Sequence, residues 1–282
     1  MPELVIGIPC YNEGSYIIEC LQSVAQNDLT DVQVIVSDNQ STDGSYEKIE
    51  HFLDSLPKKK RGSFVSVQHD ENKGGGYNWL YSIRNSDSKY FMWMGAHDAI
   101  SINFIASNLE LIRANSNVAM VSGRAFATDP STSGVKDLNI IYDFPSKDPV
   151  QRYIDSVSKL VNCTVLHSIF QRNALSGYKF HASCPSQDKI VIATILWFGK
   201  LLYNKNEAYV RRYFGEADRQ EKAKTGIYVN ESNNSLFFDT HVKNFRRLLS
   251  GSLPSSLHEP LVTALFGALC KKHGLPSHEK RC

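Results

Sequence analysis

Residues 88–102 read SKYFMWMGAHDAISI. The run Tyr90–Met94 is apolar and aromatic throughout, the pattern of a strand buried on both faces. It passes directly into Gly95-Ala96-His97-Asp98 and then to Ser101, which reads as a helix N-cap. A histidine beside an aspartate at the end of a buried strand is either an ordinary turn or the edge of a metal or phosphate site. The neighbouring segments decide between them.

Toward the N-terminus the same succession recurs. LVIGI (4–8) is a short β-rich run stopped by Pro9, and Tyr16, Ile17, Cys20, Leu21 and Val24 then follow at helical spacing. DVQVIVSDN (31–39) is the next strand. STDGSYEKIEHFLDSL (41–56) opens on the capping types Ser41, Thr42 and Asp43 and continues as an amphipathic helix. PKKKRGS (57–63) is a solvated basic turn, FVSVQHD (64–70) a third strand, and NKGGGYNWLYSIRNS (72–86) a glycine loop entering a helix. The segment quoted first supplies the fourth strand, with a helix over 101–114.

Such alternation predicts an α/β fold: a Rossmann-like, doubly wound, mostly parallel sheet with helices on both faces. Ligands of such sheets bind beyond the carboxyl ends of the strands. Tyr11-Asn12-Glu13, Asp38-Asn39, Asp70 to Gly76 and His97-Asp98 all fall on that rim. Several polar clusters on one rim make a site where a single one would not. Farther on, a strand is expected at 117–122, a turn-rich loop at 127–139, a strand at 163–170, a helix around 186–199 and a strand pair over 200–214. Two closing helices follow, at 236–251 and from the box-like Ser256-x-x-Glu259 to just before Gly274.

The totals exclude several classes. With 282 residues the chain suits one large α/β domain or two smaller ones, and 42% hydrophobic residues suffice for a core. A formal net charge of +2 gives no electrostatic case for nucleic acid. The six cysteines form no CxxC pair and no zinc-like spacing, so buried free thiols in a reducing cytoplasm are expected. Met1-Pro2-Glu3 lacks the positive start of a signal peptide, and the longest apolar run, Ile190–Phe198, is too short to span a membrane. Triplets such as Asn39-Gln40-Ser41 are chance matches in a chain that is not secreted.

Four blocks, IGIPCYNEGSYIIECLQSVAQ, QVIVSDNQSTDGS, NKGGGYNWL and YFMWMGAHDAIS, occur in that order across residues 4–103. Together they resemble the donor-binding half of the family 2 inverting glycosyltransferases, enzymes of GT-A fold that use nucleotide-diphosphate sugars. The resemblance continues more loosely from Asp188 to Tyr213. It implies a donor-binding half over 1–125, an acceptor and catalytic-base half over 126–235, and a C-terminal helical extension over 236–282.

By that resemblance Pro9, Tyr11, Asn12 and Glu13 hold base and ribose, and Asp38 accepts a hydrogen bond from the base. From the residues alone Tyr11 is equally a packed rim aromatic, Glu13 a helix-start charge, and Asp38 an Asx-type turn with Ser41. Asn72, Gly74, Gly75 and Asn78 belong to a glycine loop whose N–H groups suit phosphate or ribose oxygens. A dehydrogenase fingerprint is ruled out, because strand one leads into Pro-Cys-Tyr-Asn and not a glycine loop.

Similar glycosyltransferases end the fourth strand in a DxD-type cluster that holds Mn²⁺ or Mg²⁺ against the diphosphate. Here Asp98 matches the last carboxylate, His97 stands where aspartate is usual, and Gly95 has no side chain. Asp98 and His97 are therefore the metal candidates, with Mn²⁺ favoured over Mg²⁺ because imidazole suits it better. His181 or His241 would supply any third ligand. In the family the general base opens a helix in the second half, which points to Asp188. A helix-start aspartate stabilised by the dipole is the competing reading. Arg211 and Arg212 are candidates for phosphate contact or plain strand-surface charges.

The expected partners are a nucleotide-diphosphate sugar, most plausibly UDP-linked, and a glycan or lipid-linked acceptor. The basic, aromatic closing helices could rest on an anionic membrane, but packing on the catalytic domain or on a second subunit is the better-supported role. A non-catalytic nucleotide-sugar-binding module is the alternative function, and a nucleotidyltransferase is disfavoured by the missing Arg/Lys-bearing glycine loop after strand one.

Overall fold

The computed structural model describes residues 1–129, 134–138, 141–181, 183–212 and 234–274. In chain order they form β1 (Leu4–Cys10), α1 (Ile17–Ala25), β2 (Val32–Asp38), α2 (Ser45–Ser55), α3 (Lys58–Arg61), β3 (Phe64–Gln68), α4 (Gly75–Arg84) and β4 (Tyr90–Trp93). There follow β5 (Ala99–Ile100), α5 (Phe104–Ala114), β6 (Val118–Asp129), β7 (Gly134–Asp137), α6 (Pro149–Lys159), β8 (Ile169–Gln171), α7 (Gln187–Phe198) and β9 (Lys200–Arg212). Two helices close the described chain, α8 (Asn234–Ser250) and α9 (His258–His273).

The strands make one sheet in the order β3-β2-β1-β4-β8-β6-β9-β5, with β7 paired to β6. The first four strands are mutually parallel, as the alternating pattern requires. β8 then runs antiparallel to both β4 and β6, and the long β6 and β9 lie parallel to each other. Every residue of β4 is buried, which explains its unbroken apolar sequence.

The period of two along β1 sorts its side chains between two cores. Leu4, Ile6, Ile8 and Cys10 pack with buried residues of α1, α2 and α5, whereas Val5 joins those of α4, α6, α7, α8 and α9. Gly7 lets α4 approach closely, since a Cβ there would lie 2.0 Å from Ser82 Oγ. α7 is apolar almost all round and accordingly buried along most of its length. Phe237, Phe238, Phe245, Leu248 and Leu249 of α8 belong to the same core. The aromatic face of α8 therefore packs inside the protein. No helix among the described residues is long and apolar enough to cross a membrane. The five described cysteines are free thiols, four of them buried.

Several expected elements differ. Residues 163–170 are a 3-10 turn, Thr164–His167, followed by the three-residue β8. The strand pair over 200–214 is instead one strand over its described part, interrupted by a register shift opposite Gly123 and Arg124 that leaves Lys205–Glu207 unpaired with β6. α2 starts at Ser45 behind the left-handed Gly44, and Ser41 and Asp43 bond to neighbouring loops. Ser101 is not a cap either: it donates to Glu207 Oε2 at 2.5 Å and accepts from the Ala208 N–H at 2.9 Å, joining β5 to β9. No capping box forms at Ser256, because Glu259 turns outward to pair with Arg246. Residues 213–226 of the basic segment lie outside the described residues.

Candidate active site

The rim beyond β1, β2, β3 and β4 is laced together by side chains. Asn12 adopts the left-handed conformation, φ 54°, and its Oδ1 accepts from the Thr42 N–H at 2.8 Å. Ser41 Oγ accepts from the Asn12 N–H, Ser45 Oγ from the Glu13 N–H and Asp43 Oδ2 from the Gly14 N–H, each at 2.9 Å. The loop carrying Pro9 to Glu13 is thus fixed against the loop after β2. Asp38 is fully buried and accepts from Ser41 Oγ at 2.5 Å and from the Ser41 N–H at 2.9 Å, an Asx-type turn. Tyr11 stands half-buried at the lip.

The glycine loop is anchored by two amides. Asn72 Oδ1 accepts from Asn39 Nδ2 at 2.6 Å and from the Gly74 N–H at 2.9 Å, while Asn39 Oδ1 accepts from the Lys73 N–H at 3.0 Å. Gly74 has φ 84° and ψ 156°, a conformation only glycine adopts readily, and α4 begins at the next residue, Gly75. Asn78 is buried: it accepts from Ser37 Oγ at 2.6 Å and donates to the Cys10 carbonyl at 3.0 Å. Its amide braces β1 and β2 against α4.

The turn after β4 carries the densest cluster. Asp98 is 2% exposed; Oδ2 accepts from the Tyr209 hydroxyl at 2.6 Å and Oδ1 from the Arg212 N–H at 2.9 Å. His97 Nδ1 lies 3.0 Å from Glu13 Oε1, and its Nε2 lies 3.8 Å from Asp98 Oδ1. A Cβ at Gly95 would come within 2.5 Å of Asp98 Oδ2, so the glycine makes room for that carboxylate. Tyr209 stacks on His167 at 4.8 Å with planes 4° apart. Burial pushes the His167 pKa down to about 4, and the neutral ring therefore donates from Nδ1 to the Trp93 carbonyl at 3.0 Å. Tyr209 and His167 escape a reading of the sequence, because nothing separates them from ordinary strand and turn residues.

The two arginines at the end of β9 diverge, as successive strand residues must. Arg212 donates to the His97 carbonyl and to Glu19, each at 2.6 Å, with its guanidinium 4.4 Å from the Tyr16 ring centre. Arg211 donates to Thr164 Oγ1 at 3.1 Å. Asp188 is half-buried in the first turn of α7 beside Cys163, whose thiol pKa is raised by burial and then by the Asp188 charge. Lys189 and then Arg211 act on the same thiol in the opposite sense. The loop before Asp188 is tied by Gln187, which accepts from the His181 N–H at 2.7 Å and donates to the His181 carbonyl at 2.8 Å.

Neither histidine offered as a third ligand reaches His97 and Asp98. His181 is exposed on that loop, and His241 is buried against the Tyr153 hydroxyl at 3.0 Å, within the core under α8. Among the described residues no group of three or more His, Cys, Asp or Glu side chains is arranged to hold a metal ion. His97 Nε2 and Asp98 Oδ1, the two metal candidates of the sequence, lie 3.8 Å apart.

The sequence pattern of glycosyl transferase family 2 matches residues 5–175, which hold β1 to β8 and the whole laced rim. The chain belongs to this family. A teichoic acid poly(glycerol phosphate) polymerase of Staphylococcus epidermidis is 22% identical over 271 residues, covering 94% of this chain and 35% of that protein. The chain spans about a third to two fifths of the length of the curated relatives it matches. The fold is that of GT-A glycosyltransferases. A crystal structure of S. aureus TarS 1-349 in complex with UDP-GlcNAc superposes with TM-score 0.64 at 16% identity, over 96% of this chain and 73% of that one. A mannosyltransferase from Pyrobaculum calidifontis, in complex with GDP-Man and Mn²⁺, gives TM-score 0.54 at 15% identity over 97% and 73% of the two chains.

Proposed function

We propose that the chain is an inverting glycosyltransferase that moves a sugar from a nucleotide-diphosphate sugar, UDP-linked, to a hydroxyl of a glycan or lipid-linked acceptor in surface polysaccharide synthesis. One observation carries the reading. β9 brings the Arg212 N–H to Asp98 and the Arg211 guanidinium to Thr164, next in sequence to the Cys163 that lies beside Asp188, which supports one site for the diphosphate and the base. The TarS complex with UDP-GlcNAc supports a uridine donor, and the teichoic acid polymerase supports a wall-polymer acceptor.

In this reading Pro9, Tyr11, Asn12, Glu13 and Asp38 form the nucleoside end of the site, with Asn72, Gly74 and Gly75 beside the ribose and phosphates. Asn78 serves by holding the strand ends in place, and Arg212 by fixing the turn at His97. His97 and Asp98 would hold a divalent cation, Mn²⁺ in preference to Mg²⁺, which neutralises charge on the leaving diphosphate when bound. Asp188 takes the acceptor hydroxyl proton as that oxygen attacks the anomeric carbon from the face opposite the leaving group.

Asp188→Asn separates an enzyme from a non-catalytic binding module. Calorimetric titration with UDP should give an affinity within about twofold of wild type. Turnover of the donor sugar should fall by about 10²–10⁴-fold, the usual contribution of a general base. Wild-type turnover in the variant would remove Asp188 from the mechanism, and absence of any nucleotide binding would remove the donor site.

A further inference from the structure

We infer that the cavity where β6 and β9 part is a second saccharide subsite, which holds a neutral sugar unit of the acceptor glycan beyond the unit that reacts. The subsite presupposes the glycosyltransferase reading above and narrows its acceptor to a glycan of more than one unit. β6 is level with β4 where Met120 and Phe91 both pair with Phe170 of β8, and it runs on to Asp129 after β4 has stopped at Trp93. β7 folds back on this overhang and sets Asp137 opposite Phe126. Where Lys205–Glu207 leave the ladder, a cavity of about 240 Å³ opens, walled among others by Arg124, Asp137, Ile141, Tyr203 and Lys205. None of these walls belongs to the nucleotide end of the site.

Size and lining select the ligand. Pockets for drug-sized ligands take roughly 300–1,000 Å³, so this one suits a single ring and not a nucleotide. Ile141, 65% exposed, and Tyr203 give it apolar walls, on which the C–H faces of a sugar ring pack. Arg124 donates from Nη2 to Asp137 Oδ2, and its guanidinium is placed 5.2 Å from the Phe126 ring centre. One carboxylate beside two cations is a poor lining for a diphosphate. It suits hydroxyls, which need acceptors as well as donors. The Tyr203 hydroxyl accepts from the Tyr142 N–H at 3.4 Å, and the Tyr142 hydroxyl accepts from the N–H groups of Val161 and Asn162 at 3.1 Å each. Asn162 adjoins Cys163, the neighbour of Asp188. One tyrosine thus joins the cavity wall to the segment beside the base candidate, which makes the cavity the next recess for a glycan whose end unit meets Asp188.

The test is saturation-transfer difference NMR on the full chain in excess UDP, which keeps the nucleotide site filled. Glucose, galactose, N-acetylglucosamine and rhamnose are offered one at a time. At least one of them should receive saturation on its ring protons. Ile141→Glu sets a carboxylate against the apolar wall and should weaken that sugar about tenfold or more, enough to erase the signal of a weak ligand. Arg124→Gln should act in the same sense, and calorimetry should show wild-type UDP affinity in both variants. Saturation of none of the sugars overturns the inference, as does a signal that survives in Ile141→Glu. If Ile141→Glu proves unfolded by circular dichroism, Arg124→Gln decides in its place. UDP binding without sugar binding sinks the subsite alone. Sugar binding that Ile141→Glu abolishes, in a chain that binds no UDP, supports the cavity as a saccharide site and overturns the donor site instead.

Discussion

Gly95 shows how one missing side chain can be misread. From the sequence it is a carboxylate lost from a DxD-type cluster. In the structure the space a Cβ would need is taken by Asp98, whose Oδ2 would lie 2.5 Å from it. Gly95→Ala must push that carboxylate off Tyr209 or shift the turn, and overpacking of this kind costs about 1–3 kcal/mol. Urea unfolding should show that loss, and calorimetry should show UDP binding in Mn²⁺ weakened about tenfold or more. Full affinity in a folded Gly95→Ala protein would take Asp98 out of the donor site. The loops of the rim were legible because glycine, asparagine and aspartate at strand ends carry a chemical signature of their own. Tyr209 and His167 were not, since their meaning lies in a stacking contact between residues far apart in the chain.

Among the elements, β1 to β4 were readable from periodicity because each strand is followed by a helix with its own apolar spacing. β9 was harder. Its paired halves are separated by Lys205–Glu207, a polar interruption that reads as a turn and is a local break in pairing. β8 has three residues and β5 two, too few for any period to show. α7 raises a different question, because the carbonyls of a helix's last turn need donors from outside the helix. Arg152 resolves it. The side chain is 6% exposed and donates from Nε to the Leu196 carbonyl at 2.7 Å and from Nη2 to the Trp197 carbonyl at 2.8 Å. Nη1 serves the carbonyls of Ser146 and Lys147 at 2.8 and 2.9 Å. A cation at a helix C-terminus also complements the dipole. Arg152→Ala leaves these acceptors without their donor and should destabilise the protein by about 2–4 kcal/mol in urea unfolding. A loss below about 0.5 kcal/mol would mean that water reaches the end of α7.

At the scale of the whole molecule, stability should depend on pH mainly through two histidines folded away as neutral rings, with the buried His69, its pKa also lowered by burial, adding in the same sense. His241, on the buried face of α8, meets Tyr153, and burial, followed by the charges of His273 and Lys189, pushes its pKa down to about 3. His167 lies under the junction of β4 and β9 with its pKa pushed down to about 4, again chiefly by burial. In the unfolded chain both titrate near 6.5. Below that pH the unfolded state binds two protons that the native state refuses, so stability falls as pH falls and is regained above 6.5. The slope should approach about 2.7 kcal/mol per pH unit between roughly pH 6 and 4, twice the value for one proton. Carboxylates with lowered values, such as Glu3 beside Arg113 and Asp43 beside Ser45, act in the same direction but only nearer pH 4. Urea midpoints at pH 7, 6 and 5 measure the effect, and His241→Asn should reduce the slope by about half while remaining able to accept from Tyr153. A slope of about half the expected size from pH 7 to 5 would mean that the core around one of the two rings opens enough to hydrate it, and a flat profile that both do. Because α8 and α9 cover that core, the same profile reports whether the C-terminal helices are an integral layer of the domain or a loosely held extension.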